Sequence, residues 1–395
     1  MRVAAVTGSR ADWGLLLPVL RAIKAHPQLQ LMLWVTGSHL EARFGNTVNA
    51  IITDGFAVDG RIPLQLTTGD TRDTAHALAR AIGGFADHIG EDRPDLMLVL
   101  GDRYEIFGAV QAALLAGVPV AHIAGGDISE GAYDDGMRHA ISKLSHLHFP
   151  TNAEARDRLL QMGEQAERVI LSGSPGIDAI VQTPRLSRDQ LGAAIDFAFQ
   201  PRNIAVSFHP ATLDYMTPAQ QVQSLTDALQ QLDPNIGIVL SGSNADTGGD
   251  VVNQALQDFA QHRPNSCFVQ SLGAQRYYSL IEQVDLLVGN SSSGLYEAPS
   301  LHTPTLNIGS RQQGRLHGAS VRHCAQDSSA IREAIEQLLA NPPQDFTNPY
   351  GDGQAAQRIV DALAAIDNPR SLLIKHFHST GAGVAQATPA PGGPT

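Results

Sequence analysis

Short apolar runs bounded by turn residues alternate along this chain with longer segments of helical period. In the first half the runs are VAAVT, LQLMLWV, LMLVL and VPVAHI, and segments such as LLLPVLRAIKAH and DTAHALARAIGGFADHIG lie between them. Continuous apolar strands separated by helices are typical of a parallel sheet that helices cover on both faces. The pattern therefore predicts a doubly wound α/β domain.

The alternation pauses at 173–188 and then restarts with NIAVSF, GIVLS, CFVQS, DLLVG and PTLNI. A chain of 395 residues also exceeds the size at which a single hydrophobic core keeps growing. We therefore predict a Rossmann-like domain over 1–180 and a second one over 185–352. Residues 353–375 are expected to pack back on the first domain, and the Gly/Pro-rich tail 380–395 is expected to be disordered.

Composition and charge narrow the classes of partner. Hydrophobic residues make up 43% and charged residues 17% of the chain, as in ordinary globular proteins. The formal net charge of -12 argues against a nucleic-acid surface. Cys267 and Cys324 form neither a disulfide framework nor a Cys/His metal cage, and no apolar run reaches the length of a membrane span. We expect a cytoplasmic protein with no metal, nucleic acid or membrane as a partner.

The loop after the first strand, TGSRAD at 7–12, lies where open α/β sheets bind ligands, beyond the carboxyl end of a strand. We expect the ligand in a crevice between the two domains. The loop lacks both the GxxxxGK[ST] and the full GxGxxG spacing, which disfavours a dinucleotide cofactor. We interpret Gly8 as a point of close backbone approach and Arg10 as a cation near phosphate or sugar. The alternative is that Asp12 only caps the following helix.

The loop after LMLVL reads GDRYE, and Asp102 follows the strand directly. A carboxylate at this position points towards the expected crevice, where burial can tune its pKa for proton transfer. Asp102 is therefore the strongest catalytic candidate. In the alternative interpretation Asp102 caps the next helix while Arg103 pairs with Glu105.

The loop after VPVAHI is rich in acids. It holds four carboxylates in nine residues together with three glycines, and they would repel one another unless a positive or protonated group lies among them. An acid/base site is favoured over a metal site because the spacing defines no ligand geometry. Some of these acids have an alternative role as first-turn residues of the next helix. The residues concerned are Asp127, Glu130, Asp134 and Asp135, flanked by His122 and His139.

In the second half, the loop GNSSSG at 289–294 offers backbone and hydroxyl donors to a diphosphate. A Ser-rich helix cap would explain one serine but not three. Glu297, one turn later, fits both hydroxyls of a ribose, and Arg311 or Arg315 can counter phosphate charge. His209, after NIAVSF, is either a hydrogen-bonded loop residue or a ligand contact.

Several motifs stand in order from Met1 to about residue 370: TGSRADWG, GDRYEIF, HIAGGD, RHAISKLSHLHF, SFHP, GSNADTG, GNSSSGLYEAPSL, GSRQQGR and GASV. With them the chain resembles the hydrolysing UDP-N-acetylglucosamine 2-epimerases of bacterial sialic-acid biosynthesis. The resemblance implies a glycosyltransferase-B-like fold of two Rossmann-like domains, with UDP held mainly by the second half. It also implies a reaction without metal or cofactor that converts UDP-N-acetylglucosamine and water to UDP and N-acetylmannosamine, in a homodimer or homotetramer.

By matched position, the resemblance makes Asp102 and Asp134 acid/base residues. One departure is Ala124, which stands where some relatives carry a catalytic glutamate, and Asp127 is predicted to replace that acid with Glu130 in reserve. The residues that the resemblance assigns to substrate binding are Arg10, Asp12, Arg103, His209, Asn244, Ser271, Asn290, Ser291, Ser292, Glu297 and Arg311.

Four alternatives stay open. The same reaction on UDP-2,4-diacetamido-2,4,6-trideoxyglucose, as in legionaminic-acid pathways, is not separated by any motif. A non-hydrolysing epimerase is disfavoured by RHAISKLSHLHF. A glycosyltransferase on the same scaffold has no need of the acid cluster, and a sensor without turnover has no need of paired acids.

Overall fold

The computed structural model describes residues 1–67, 70–129, 133–211, 214–243 and 248–378. The predicted tail and two predicted site residues, Glu130 and Asn244, lie outside the described residues. The chain forms two compact units, one of Met1–Ser172 with the residues from Ala356 onward and one of Gly173–Ala355. No described helix is both long and apolar enough to cross a membrane.

The first unit alternates strands and helices. Its elements are β1 (Arg2–Thr7), α1 (Arg10–Ala25), β2 (Gln30–Thr36), α2 (Val48–Thr53), β3 (Gly60–Ile62), α3 (Thr71–Glu91), β4 (Leu96–Leu100), α4 (Tyr104–Leu115), β5 (Val120–Ile123), α5 (Asp134–Leu144), β6 (Leu147–Phe149) and α6 (Ala153–Gln161).

The strands of the first unit form one parallel sheet in the order β3-β2-β1-β4-β5-β6. Alternate residues of β1 point to opposite faces, and each face has its own core. Val3 belongs to one buried cluster and Ala4 to the other. Ile359 and Leu363, from a helix near the end of the described chain (Ala355–Ala364), are buried in the cluster of Val3. Burial on both faces explains why these strands read as continuous apolar runs.

The second unit repeats this arrangement. Its elements are α7 (Pro175–Gln182), α8 (Arg188–Ile195), β7 (Asn203–Ser207), α9 (Pro218–Gln230), β8 (Gly237–Ser241), α10 (Gly249–His262), β9 (Ser266–Val269), α11 (Gly273–Gln283), β10 (Leu286–Gly289), α12 (Ser293–Tyr296), β11 (Thr305–Ile308), β12 (Val321–Cys324), α13 (Ser328–Ala340) and α14 (Ala355–Ala364), which continues into the first unit.

The second sheet is also parallel, in the order β12-β11-β10-β7-β8-β9. Counted within each unit, both sheets have the 3-2-1-4-5-6 order of a Rossmann fold, so the predicted fold class is confirmed. The order reverses between β1 and β4 in one sheet and between β7 and β10 in the other. The loops after these strands are therefore neighbours at the ligand-binding edge of each sheet.

The boundary between the units differs from the predicted one. Ile177 and Ile180 of α7 are buried with Ala205 and Leu287 of the second sheet, so the second unit begins at Gly173 rather than after residue 180. Strands β3, β6 and β12 were not predicted from the sequence. All three are edge strands of three or four residues.

Candidate active site

The loop after β1 is organised around a buried carboxylate. Ser9, not Asp12, caps α1, because the Ser9 hydroxyl accepts from the backbone N–H of Asp12 at 3.3 Å. The Asp12 carboxylate accepts from the N–H of Gly8 at 3.2 Å. Burial, followed by the charge of Glu105, raises the pKa of Asp12 to about 6. Arg10 is exposed on the first turn of α1, and its contact with substrate stays a prediction.

Arg103 and Glu105 form an ion pair beside this loop. The Arg103 Nε donates to the fully buried Glu105 carboxylate at 2.5 Å. A Cβ at residue 8 would lie 2.5 Å from the same Glu105 oxygen, so the close approach requires Gly8. Burial opposes the charge of Arg103, but Glu105 and Asp12 raise its pKa overall. The alternative interpretation of this loop was therefore right about the Arg103–Glu105 pair.

Asp102 does not cap α4, because Arg103 occupies the N-cap position and no side chain caps the helix. Instead, the Asp102 carboxylate forms an ion pair with Arg138 of α5, which also donates to the Ser129 hydroxyl at 2.9 Å. Burial and then the charge of Asp102 raise the pKa of Asp134 at the start of α5. The structure thus brings together a carboxylate that is paired with Arg138 and a second one whose pKa is raised.

The other two described acids of this region, Asp135 and Asp127, form hydrogen bonds that stabilise the loop. Asp135 accepts from the backbone N–H of Ser129 at 2.7 Å, so it has the structural role that one of the first-turn acids was expected to have. Asp127 accepts from the Thr151 hydroxyl and the Asn152 amide, each at 3.0 Å, and burial raises its pKa. These bonds tie the loop to the start of α6, which argues against Asp127 as the replacement acid.

His122 of β5 forms a hydrogen bond with the loop that carries Asp102. It is fully buried, and its Nε2 lies 2.7 Å from the Gly101 carbonyl while its Nδ1 lies 3.1 Å from the Ser142 hydroxyl. Burial lowers the pKa of His122 to about 3, so the ring is neutral and donates to Gly101. Sequence reasoning noted His122 and Arg138 beside the acidic loop but gave Arg138 no role, although its position four residues after Asp134 on one helix was an available signal.

The second unit contains a cavity of about 370 Å³ at the carboxyl ends of its strands. Burial raises the pKa of Glu297 to about 7, and its carboxylate makes no hydrogen bond with another described residue. Four of the predicted substrate-binding residues of this unit line the cavity, and His209, Asn290 and Arg311 are not part of its lining. Its lining includes Ser207, Ser241, Gln270, Ser271, Tyr277, Ser291, Ser292, Ser293 and Glu297.

Asn290 joins the loops after β7 and β10. Its buried side-chain amide accepts from the backbone N–H of His209 and donates to the carbonyl of His209, each at 2.7 Å. Its backbone carbonyl accepts from Arg311 at 3.1 Å and from Gln312 at 2.9 Å. A Cβ at Gly289 would collide with the carbonyl of Ser207. The hydrogen bonds of the Asn290 amide are thus made to the protein backbone, and His209 and Arg311 are both hydrogen-bonded to Asn290.

Within the part of the chain that the structure describes, no three His, Cys, Asp or Glu side chains are grouped so that they could hold a metal ion.

Two Rossmann-like units with polar loops at the reversal of each sheet define a two-domain α/β protein of the glycosyltransferase-B-like class. The family model of UDP-N-acetylglucosamine 2-epimerase matches residues 21–364. The chain therefore belongs to the UDP-N-acetylglucosamine 2-epimerase family, as its motifs suggested, and is an epimerase of that family.

Individual relatives agree with this assignment. The hydrolysing UDP-N,N'-diacetylbacillosamine 2-epimerase of Legionella pneumophila is 34% identical over 95% of this chain and 98% of its own. The hydrolysing GDP/UDP-N,N'-diacetylbacillosamine 2-epimerase of Campylobacter jejuni is 32% identical over 85% of this chain and 87% of its own. The crystal structure of UDP-GlcNAc 2-epimerase from Neisseria meningitidis has a TM-score of 0.76 at 21% identity, covering 92% and 99% of the two chains.

Proposed function

We propose that this chain is a hydrolysing 2-epimerase that acts on a UDP-activated 2-acetamido sugar. The observation that carries the proposal is the pair of carboxylates at the edge of the first sheet. Asp102 forms an ion pair with Arg138 at the end of β4, and a side chain in this position suits a general base. The raised pKa of Asp134 suits a general acid. Environments that differ in this way separate the two roles.

In the proposed reaction Asp102 removes the proton from C2 of the sugar. The electron pair of that C–H bond forms a C1–C2 double bond as the bond from C1 to the UDP oxygen breaks, giving UDP and a 2-acetamidoglucal. Water then adds its hydroxyl to C1 while Asp134 gives a proton to C2 on the opposite face. The remaining proton of the water restores Asp134, and Asp102 releases the original C2 proton to solvent. The products are UDP and the free 2-epimeric sugar. Arg103 and Asp12 are proposed as contacts to the sugar.

UDP is proposed to bind the second unit. Neutral hydroxyl and N–H donors suit a diphosphate, and Ser291 and Ser292 offer them at the end of β10. The carboxylate of Glu297, which has no hydrogen-bond partner among the described residues, is proposed to accept from both ribose hydroxyls. Arg311 and His209, which Asn290 holds at the same edge, are proposed to contact the phosphates.

Two sugars are candidates. We propose UDP-2,4-diacetamido-2,4,6-trideoxyglucose, that is UDP-N,N'-diacetylbacillosamine, as the preferred substrate and UDP-N-acetylglucosamine as the second candidate. The order rests on two relatives above 30% identity that are both named for the diacetamido sugar, whereas a third at 33%, the polysialic acid biosynthesis protein P7 of Escherichia coli, is not. It reverses the preference drawn from motifs alone, which do not distinguish the two sugars.

The test is to incubate the purified protein with each UDP-sugar in turn and to follow UDP release by proton NMR. We expect UDP and a free 2-epimer from the preferred sugar, with deuterium at C2 when the reaction is run in heavy water. Release of an epimerised sugar that still carries UDP would indicate the non-hydrolysing reaction. Failure of both sugars to react would refute the proposal.

A further inference from the structure

Tyr277 of α11 reaches both loops that meet at the reversal point of the second sheet. Its hydroxyl forms one hydrogen bond with the Ser293 hydroxyl and another with the side chain of Ser207. Ser207 is the last residue of β7, and Ser293 begins the short helix α12 after β10. One side chain from a third element therefore links the two strand ends.

The hydrogen bonds continue from Tyr277 to the surface of the cavity. Ser293 donates its hydroxyl proton to the Ser291 hydroxyl at 3.1 Å, and the backbone N–H of Ser293 lies 3.4 Å from the same Ser291 oxygen. Because a serine has only one hydroxyl proton, Tyr277 must donate to Ser293. Burial raises the pKa of Tyr277, which keeps its hydroxyl protonated for this purpose.

Ser291 is thereby oriented. Its oxygen accepts from two groups of Ser293, and among the described residues none accepts the Ser291 hydroxyl proton. Ser291 lines the cavity and is half-buried, so that proton remains for an acceptor in the cavity. A neutral donor aimed into a polar cavity suits an anionic oxygen.

We propose that Tyr277 is a positioning residue that orients the serine turn, through Ser293, for the diphosphate of a nucleoside diphosphate. The inference rests on the proposed function, since the ligand is the UDP moiety proposed above. Phenylalanine at position 277 would keep the ring in place but leave Ser293, and with it Ser291, without a fixed direction.

The experiment is a double-mutant cycle on the Kd of UDP, measured by calorimetry for the wild type, Tyr277→Phe, Ser293→Ala and the double variant. We expect each single change to raise the Kd about five- to ten-fold, as for loss of one oriented hydrogen bond. The double variant should be hardly weaker than either single variant, because both changes break the same chain. In turnover, the KM should rise by a similar factor with kcat within about two-fold.

The matched control is Tyr350→Phe, which removes a tyrosine hydroxyl of the same unit that donates to the backbone carbonyl of Leu316 and is not part of the cavity lining. We expect the Kd of UDP to stay within about two-fold of wild type, because the serine turn keeps all its hydrogen bonds in this variant. Ser293→Thr keeps the hydroxyl and should restore affinity relative to Ser293→Ala, which provides a second comparison if Tyr277→Phe folds poorly.

The outcomes separate the two proposals. A wild-type protein that does not bind UDP would refute the proposed function itself. A wild type that binds UDP while Tyr277→Phe binds equally well, or additive losses in the cycle, would refute the positioning role alone. A fall in kcat without a change in Kd would also contradict it.

Discussion

The two units have the same sheet order but place different chemistry at its reversal. In the first unit, ion pairs stabilise the loops at the reversal of the sheet, namely Arg103–Glu105 and Arg138–Asp102. In the second unit, hydrogen bonds of two neutral groups, the Asn290 amide and the Tyr277 hydroxyl, connect the corresponding loops. One fold thus supports two kinds of site, and the side chains at the strand ends decide which.

The physical difference lies in what each set of groups can do. Carboxylates buried near one another and near arginines have shifted pKa values, as Asp12 and Asp134 show, and such groups can exchange protons. Neutral donors do not titrate near pH 7 and can hold an anion without changing their own charge. Glu297, whose pKa burial raises to about 7, departs from this pattern in the second unit, and it provides a test of the comparison.

The largest expected effect is on the charged site. Asp102→Asn removes the proposed base while keeping its shape, so kcat should fall by about 10²- to 10⁴-fold. The Kd of UDP, measured by calorimetry, should change by less than about two-fold. The control is Asp157→Asn, an exposed aspartate that pairs with Arg156 on the surface, and it should keep the wild-type rate. A wild-type rate for Asp102→Asn would remove Asp102 from the mechanism.

The next effect concerns Glu297. Because burial raises its pKa to about 7, the carboxylate is increasingly protonated as pH falls below 7, and it then loses its capacity to accept from two hydroxyls. The affinity for UDP should therefore weaken between pH 8 and pH 6. Glu297→Gln should bind UDP about ten-fold more weakly at pH 8 and lose this part of the pH dependence. An unchanged pH profile in Glu297→Gln would show that another group titrates.

Glu297→Gln should also be more stable than wild type at pH 8. Folding raises the pKa of this carboxyl, so the folded state is favoured below the unfolded pKa and loses that advantage as pH rises to about 7 and beyond. The measurement is the midpoint of thermal unfolding at pH 5 and pH 8. The gain of the variant over wild type should be larger at pH 8.

A smaller effect is expected at Asn290, whose side-chain amide binds both backbone groups of His209. Asn290→Ala leaves the backbone groups of His209 without their partner, which should lower the free energy of unfolding by about 2 kcal/mol. Chemical denaturation measures the change. Asn341→Ala, at an exposed position after α13, should change stability by less than about 0.5 kcal/mol. Equal stabilities of Asn290→Ala and wild type would contradict this stabilising role of the Asn290 amide.

The smallest effect concerns the backbone of the acidic loop. Ala124 has a φ of 62°, a left-handed conformation that costs a residue with a side chain about 1 kcal/mol. Ala124→Gly should therefore stabilise the protein by up to about 1 kcal/mol. Ala86→Gly in the exposed face of α3 should destabilise it by a similar amount, because glycine disfavours a helix interior. The same sign for both changes would contradict a strained Ala124.

The sequence predicted those strands that are buried on both faces. VAAVT and DLLVG are continuous apolar runs because each lies at the centre of a covered sheet. GRI at β3 and VRHC at β12 carry polar residues and have a neighbour on one side only, so no continuous apolar pattern marks them. The domain boundary was misplaced for a related reason, because the apolar face of α7 does not reveal which core it enters.

Local sequence determined which residue types follow each strand, and hence the acids after β4 and β5 and the serines after β10. Tertiary structure decided what each of them does. Asp102 meets Arg138 and Ser207 meets Tyr277 only because the fold brings a strand end and a helix from another part of the chain together at one sheet edge. Such pairings, and the burial that shifts the pKa values of Asp12 and Glu297, depend on groups brought together by the fold, which no local pattern contains.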